Sequence, residues 1–260
     1  IHCAVLIAIG CTVRGGEIGG LQWDKINFEK QIILFDRAID RVSKKNMDMP
    51  KMNILFKFPN LYPGTKTMIV LKQPKSDDTI RNVDVPQSVL NALLVLKEMQ
   101  DKLKKELGPD GYMDYNLTIC QANGRPIMTE HLNKRFKEIL TEMNDPDMDP
   151  QEIVFHSLRH TSATTKLLMS GGDYNSVMQA GGWSNLEMLT RRYGKHSFAS
   201  EREKLAGKMD DFLDGKGISE PQKNDKDEVN SAEQVLQQLM KSNPELLIEF
   251  ARSFQNANKE

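Results

Sequence analysis

The chain has 260 residues, 35 basic and 36 acidic side chains, a net charge of −1 and three cysteines. Its length allows one large domain, or one domain with an appendage. Near-neutral charge gives no overall electrostatic mark of a nucleic-acid binder, and the odd, scattered cysteines (Cys3, Cys11, Cys120) argue against a disulfide framework or a zinc site and fit a reducing cytoplasm.

The chain opens on an apolar run from Ile1 to Cys11. The run is too short for a membrane span and lacks the basic flank and cleavage site of a signal peptide. It reads as a buried helix in a fragment of a longer protein. Residues 1–23 are expected to form two helices joined near Thr12, and residues 26–38 a strand centred on Gln31 to Phe35. Residues 42–65, with four lysines, read as an extended hairpin or an insertion loop. Thr67–Lys72 and Arg81–Val85 read as strands flanking a turn at Lys75. Pro86 is expected at the first position of a helix carrying Val89, Leu90, Leu93, Leu94, Leu96 and Met99 at helical spacing. Leu117–Cys120 reads as a short strand and Asn123-Gly124 as a turn. Thr129 reads as the cap of a helix running to about Met143. Three more helices are expected at Ser157–Ser170, Tyr174–Ala180 and Asn185–Arg192. Residues 214–230 are polar and poor in apolar side chains, hence a linker. Helical periodicity returns at 231–256, with Val235, Leu236, Leu239, Met240, Leu246, Leu247, Phe250 and Phe254 as its apolar positions.

Charge is uneven. Residues 201–260 hold nine basic and thirteen acidic side chains, which leaves the first 200 residues at a net +3. So mild an excess leaves much of any phosphate affinity to segments that precede these residues.

The chemistry gathers in His156-Ser157-Leu158-Arg159-His160, then Gly182-Trp183, then Tyr193. Histidine and arginine three residues apart share one side of a helix. The planar guanidinium fork grips a phosphate through two hydrogen bonds. Ser157 as a cap would put Arg159 in the first helical turn, where backbone N–H groups favour phosphate. A tyrosine can act as a phosphoryl nucleophile. Singly, each residue has a plainer reading: a structural histidine, a core tryptophan, a surface tyrosine. Arg14 with Glu17 at i+3 is by itself a surface ion pair, and Lys75 a solvated turn lysine. No P-loop and no carboxylate cluster of the two-metal nuclease kind appears in the sequence.

The ordered series from Ile153 to Tyr193 resembles the tyrosine recombinase, or phage integrase, family. Two upstream segments extend the likeness. Thr12-Val13-Arg14-Gly15-Gly16-Glu17-Ile18-Gly19-Gly20-Leu21-Gln22-Trp23 matches the family's first arginine motif, with Thr12 standing where glycine is usual. Lys75-Ser76-Asp77-Asp78-Thr79-Ile80-Arg81 matches its lysine turn, with Lys72 as an alternative register. The resemblance covers residues 1 to about 200. It implies an α+β fold: a mainly helical catalytic domain with a small antiparallel sheet over 1–213, the linker 214–230, and a helical tail at 231–260.

The resemblance also implies roles. Tyr193 attacks a scissile phosphate, and Arg14 and Arg159 stabilise its charge. Lys75 protonates the leaving 5′ oxygen, and His156 takes the tyrosine proton. Trp183 holds a phosphate oxygen, while Glu17 and His160 support the site. It implies no metal or ATP, double-stranded DNA attachment sites as substrate, a homotetramer on DNA, accessory directionality or host bending proteins, and no membrane. The tail is expected to dock on a neighbouring protomer, with docking on its own domain as the other option. A type IB topoisomerase and a non-catalytic DNA-binding protein stay open as alternatives.

Overall fold

A computed structural model of the chain describes residues 1–46, 52–74, 79–146, 149–170, 172–183, 185–187, 190 and 209. The chain divides into residues 1–197 and 198–260. Of the second unit only Met209 is among the described residues, so the expected linker and tail lie outside them.

Helix α1 (His2–Cys11) is almost wholly apolar and buries Ala4, Ile7, Ala8 and Cys11 along one face. It stops at Thr12, which turns left-handed at φ +58° and donates its N–H to the Ala8 carbonyl at 3.2 Å. Helix α2 (Gly15–Gly20) follows, as expected of two helices joined there. Its sequence GGEIGG is a poor helix former, each glycine costing about 1 kcal/mol against alanine. Packing explains the composition. A β-carbon on Gly20 would lie 2.9 Å from the Ala38 backbone, so only a bare helix can approach that strand.

Among the described residues six strands follow in two sheets: β1 (Ile26–Asn27), β2 (Ile32–Phe35), β3 (Ala38–Ser43), β4 (Ile54–Lys57), β5 (Thr67–Lys72) and β6 (Arg81–Asp84). One antiparallel sheet has the order β1-β2-β6, the other β3-β5-β4. The single strand expected at 26–38 is thus a hairpin. Gln31, at φ +55°, turns the chain so that Ile26 faces Ile33. The two strands flanking Lys75 exist, yet they belong to different sheets: β5 pairs with β3 and β4, whereas β6 pairs with β2. Within 42–65, β4 makes a bulged hairpin with β5. Leu117–Cys120 is no continuous strand, only the isolated bridges Gln22 to Leu117 and Cys120 to Pro126.

The remaining helices among the described residues are α3 (Gln87–Gly111), α4 (Thr129–Met143), α5 (Ser157–Met169) and α6 (Tyr174–Gly181). Two begin on the residue expected to cap them: Met128 and His156 are the caps, and Thr129 and Ser157 are the first helical residues, while Pro86, expected as the first helical residue, is itself the cap of α3. Helix α3 breaks at Gly108, at φ +66°, just before Pro109. Val89, Leu90 and Leu93 are buried as their spacing predicts, but Leu94 and Met99 are exposed. The core joins α1, α3, α4 and α5 with the inner face of the β1-β2-β6 sheet, through Ile7, Ile18, Ile33, Leu90, Leu132 and Phe155 among others. A smaller cluster of Ile39, Phe58, Leu71, Leu117 and Met128 lies under the second sheet. Helix α1 packs on α3 and α5, and α6 on α5 and β6, which brings the N-terminal arginine motif to the late helices.

Candidate active site

Arg14 is the cap residue of α2. Its backbone N–H donates to Glu17 Oε2 at 2.7 Å, and its Nη1 donates to Glu17 Oε1 at 3.4 Å. The Arg14 side chain remains 44% exposed while that of Glu17 is 7% exposed. A buried carboxylate needs a charged partner, and Arg81 at the start of β6 supplies it, donating from Nη1 at 3.0 Å and Nη2 at 3.2 Å. Burial pushes the Glu17 carboxyl up. The hydrogen bonds and charge of Arg81, with the Arg14 N–H and charge, outweigh that and hold it below its ordinary value. Glu17 therefore stays a carboxylate and orients Arg14.

Arg159 lies in the first turn of α5 and is 2% exposed. Its Nη1 donates to the Thr12 carbonyl at 2.8 Å, and its guanidinium stacks on the Trp183 ring, 4.1 Å from the centroid. His156 caps α5 on the exposed side, with its ring edge-to-face against His160 at 4.8 Å.

Trp183 is placed by the end of α6. Asp173 caps the start of this helix, accepting from the N–H groups of Asn175 and Ser176. A Schellman turn closes its end: Gly182 is left-handed at φ +64°, its N–H donates to Gln179 O, and the Trp183 N–H donates to Met178 O. The indole folds back over Gly181, where a β-carbon would sit 1.7 Å from the ring. Two arginines take up carbonyls left over at this C-terminus, as the helix dipole favours: Arg81 Nε donates to Ala180 O at 2.9 Å and Arg14 Nη2 to Gly182 O at 3.5 Å.

The structure thus gathers Arg14, Glu17, Arg159 and Trp183 around the C-terminal turn of α6, with His156 at the cap of the helix that carries Arg159. Lys75 and Tyr193 lie outside the described residues. Lys72, the alternative register, pairs its ammonium with Asp40 across β3 and β5. Two guanidinium groups, Arg14 and Arg81, share the Glu17 carboxylate, and a third, Arg159, lies against Trp183 beside them, an excess of positive charge that suits an incoming anion. Among the described residues no group of three or more His, Cys, Asp and Glu could hold a metal ion, and no helix is long and apolar enough to cross a membrane.

Arg81 is the residue left out of the sequence-derived site. Its guanidinium touches Glu17, the carbonyls of Ala180 and Thr79, and the face of Phe35. The signal for it was its place six residues after Lys75, at the head of a strand whose alternating burial turns Arg81 inward.

Fold and site together define a class, and the chain belongs to the phage integrase family, whose sequence profile matches residues 1–200. It is similar to a XerC-like tyrosine recombinase of Caldanaerobacter subterraneus subsp. tengcongensis, 28% identical over 194 residues, covering 72% of this chain and 44% of that protein. It is also similar to the ICEBs1 integrase of Bacillus subtilis, 28% identical over 144 residues, covering 55% of this chain and 37% of that protein. The chain therefore spans under half the length of these two relatives. Among solved structures it resembles the Tn1549 transposon integrase in complex with transposon right-end DNA. That match has a TM-score of 0.58 and 19% identity, covering 79% of this chain and 58% of the other. At that identity the likeness is one of fold: the mixed, mainly helical catalytic domain with small antiparallel sheets.

Proposed function

We propose that residues 1–213 are the catalytic domain of a site-specific DNA recombinase that cuts and rejoins strands through a 3′-phosphotyrosine. The observation that carries this reading is the meeting of Arg14 and Arg159 on one helix end. Distant in sequence, they reach adjacent residues of it, the Gly182 carbonyl and the Trp183 ring. The relatives, a recombinase and two integrases, support the same activity, and the Tn1549 integrase was solved on DNA.

In this mechanism the Tyr193 oxygen attacks the scissile phosphorus while the bond from phosphorus to the 5′ oxygen breaks. His156 receives the tyrosine proton, and Lys75 gives a proton to the leaving 5′ oxygen. Arg14, Arg159 and the Trp183 indole N–H hold the non-bridging oxygens, preorganised charge of the kind that dominates phosphoryl transfer. A free tyrosine has a pKa of about 10, so cationic surroundings are what let it react near neutral pH. The bond energy stays in the phosphotyrosine, which leaves no step for ATP or a metal. His160 is a supporting residue. The substrate is a pair of double-stranded attachment sites in the cytoplasm, bound by a homotetramer with accessory directionality or bending proteins. The segment 214–230 is a linker, and the tail 231–260 docks on a neighbouring protomer.

The test is capture on a pool of nicked duplexes of random sequence, read as covalent adducts on a denaturing gel and then sequenced. The expected result is a set of related captured sites that recombine when paired. No adduct overturns the reading. Relaxation of supercoils without exchange between captured sites would assign the topoisomerase activity instead.

A further inference from the structure

Thr12 is fully buried in the left-handed region, at φ +58° and ψ +39°. Glycine adopts that conformation freely, whereas for a β-branched residue it is strained. The surroundings compensate. The Thr12 N–H donates to Ala8 O at 3.2 Å, and Thr12 Oγ1 lies 2.6 Å from Ser162 Oγ on α5. Ser162 Oγ in turn donates to the Ile9 carbonyl. A serine hydroxyl has one proton. Since that proton goes to Ile9, the proton between the two hydroxyls is the one on Thr12. The relay therefore runs one way, from Thr12 to Ser162 to Ile9, and both hydroxyls are buried, at 0% and 1% exposure.

The relay reaches the site through the other end of the same residue. The Thr12 carbonyl accepts from Arg159 Nη1 at 2.8 Å, and Ser162 stands three residues beyond Arg159 on one helix side. In this left-handed turn the carbonyl is aimed at the guanidinium. Two residues further on, the same turn delivers Arg14 to the start of α2.

We propose that Thr12 is a positioning residue. Its hydroxyl relay to Ser162 and Ile9 holds the left-handed turn, and the turn's carbonyl fixes the Arg159 guanidinium against Trp183. The rate consequences rest on the recombinase reading above. The position then has two solutions, a hydroxyl that holds the turn through Ser162 or a glycine that holds it unaided.

The experiment measures DNA affinity and single-turnover adduct formation for the full chain, using a duplex recovered in the capture. The variants are T12S, T12V, T12G, S162A and T12G with S162A, with thermal melting to check folding. T12V and S162A should cleave about tenfold more slowly at unchanged DNA affinity, as loosened catalytic positioning does, while T12S and T12G stay within about twofold. S162A added to T12G should cost little more, because that backbone no longer needs the relay. If S162A slows the T12G background as much as the wild type, or T12V cleaves at the wild-type rate, the proposal is overturned. A second arm needs no cleavage. Trp23→Phe leaves Trp183 as the sole indole. T12V should shift its emission and blunt its response to inorganic phosphate, and T12S should not. Identical emission in all variants also overturns the proposal. If the wild type itself gives no adduct, the recombinase reading fails and the emission arm alone decides the positioning.

Discussion

Arg81 grips Glu17 as a fork on a carboxylate, Nη1 to Oε1 at 3.0 Å and Nη2 to Oε2 at 3.2 Å, with both side chains 7% exposed. Through this one pair β6 is tied to α2, and through the Arg81 Nε bond to Ala180 the same guanidinium ties both to the end of α6. A bidentate charged bond is directional as well as strong, so the pair sets where Arg14 and Trp183 sit relative to each other.

Arg81→Met should lower stability by about 3–5 kcal/mol, the cost of removing one partner of a buried pair, since only the longer contact to the half-exposed Arg14 guanidinium then balances Glu17. The pH dependence has a definite sign. The Glu17 pKa is depressed on folding from its ordinary 4.5. Its stabilisation is therefore complete above that value and is lost as pH falls through the lower, folded pKa. Denaturant titrations across the acid range should show this loss in the wild type and a weaker one in Arg81→Met. Equal acid sensitivity in the two proteins would refute the role given to the pair.

Tyr193→Phe removes one hydroxyl. DNA affinity and melting temperature should match the wild type, and the denaturation-resistant adduct should vanish. An adduct formed by the variant would place the nucleophile elsewhere.

Lys75→Ala should slow cleavage of ordinary DNA and recover most of its rate on a 5′-bridging phosphorothiolate, whose sulfur leaves without a proton. Lys72→Ala should lose only the ion pair with Asp40, on a partly exposed site worth about 0–1 kcal/mol. The opposite pattern in the two rates would move the general acid three residues upstream.

Gly181→Ala separates helix stability from site geometry. Alanine is the better helix former by up to about 1 kcal/mol, yet its β-carbon would fall 1.7 Å from the Trp183 ring. The ring must leave, and with it the stacking on Arg159. Near-ultraviolet dichroism should lose the Trp183 contribution, and adduct formation should fall while the far-ultraviolet spectrum stays helical. A variant with wild-type dichroism and rate would show that the close packing of Trp183 is dispensable.

The helices were readable from sequence because burial on a helix imposes a local period: Ile7, Ala8 and Cys11 in α1, or Leu132, Phe136 and Leu140 in α4, announce a face without knowledge of what covers it. Two of their starts were expected one residue too late, because Ser157 and Thr129 carry cap chemistry but sit just inside their helices. Arg14, Glu17, Arg159 and Trp183 were legible as an ordered series, and tertiary structure brings these four together; Lys75 and Tyr193 lie outside the described residues. Strand partnership was not legible. Nothing local distinguishes a turn at Gln31 from continued strand, or says that β5 and β6 enter different sheets, since pairing is a choice among distant edges. Arg81 and Thr12 escaped for the same reason: a buried guanidinium and a buried hydroxyl take their meaning from Glu17, Ala180 and Ser162, which only the folded chain sets beside them. Sequence by itself determined which residue types were present and the periodicities that bury them. Tertiary structure decided which charges share a carboxylate and where each carbonyl points, because those energies depend on distances that no local pattern encodes.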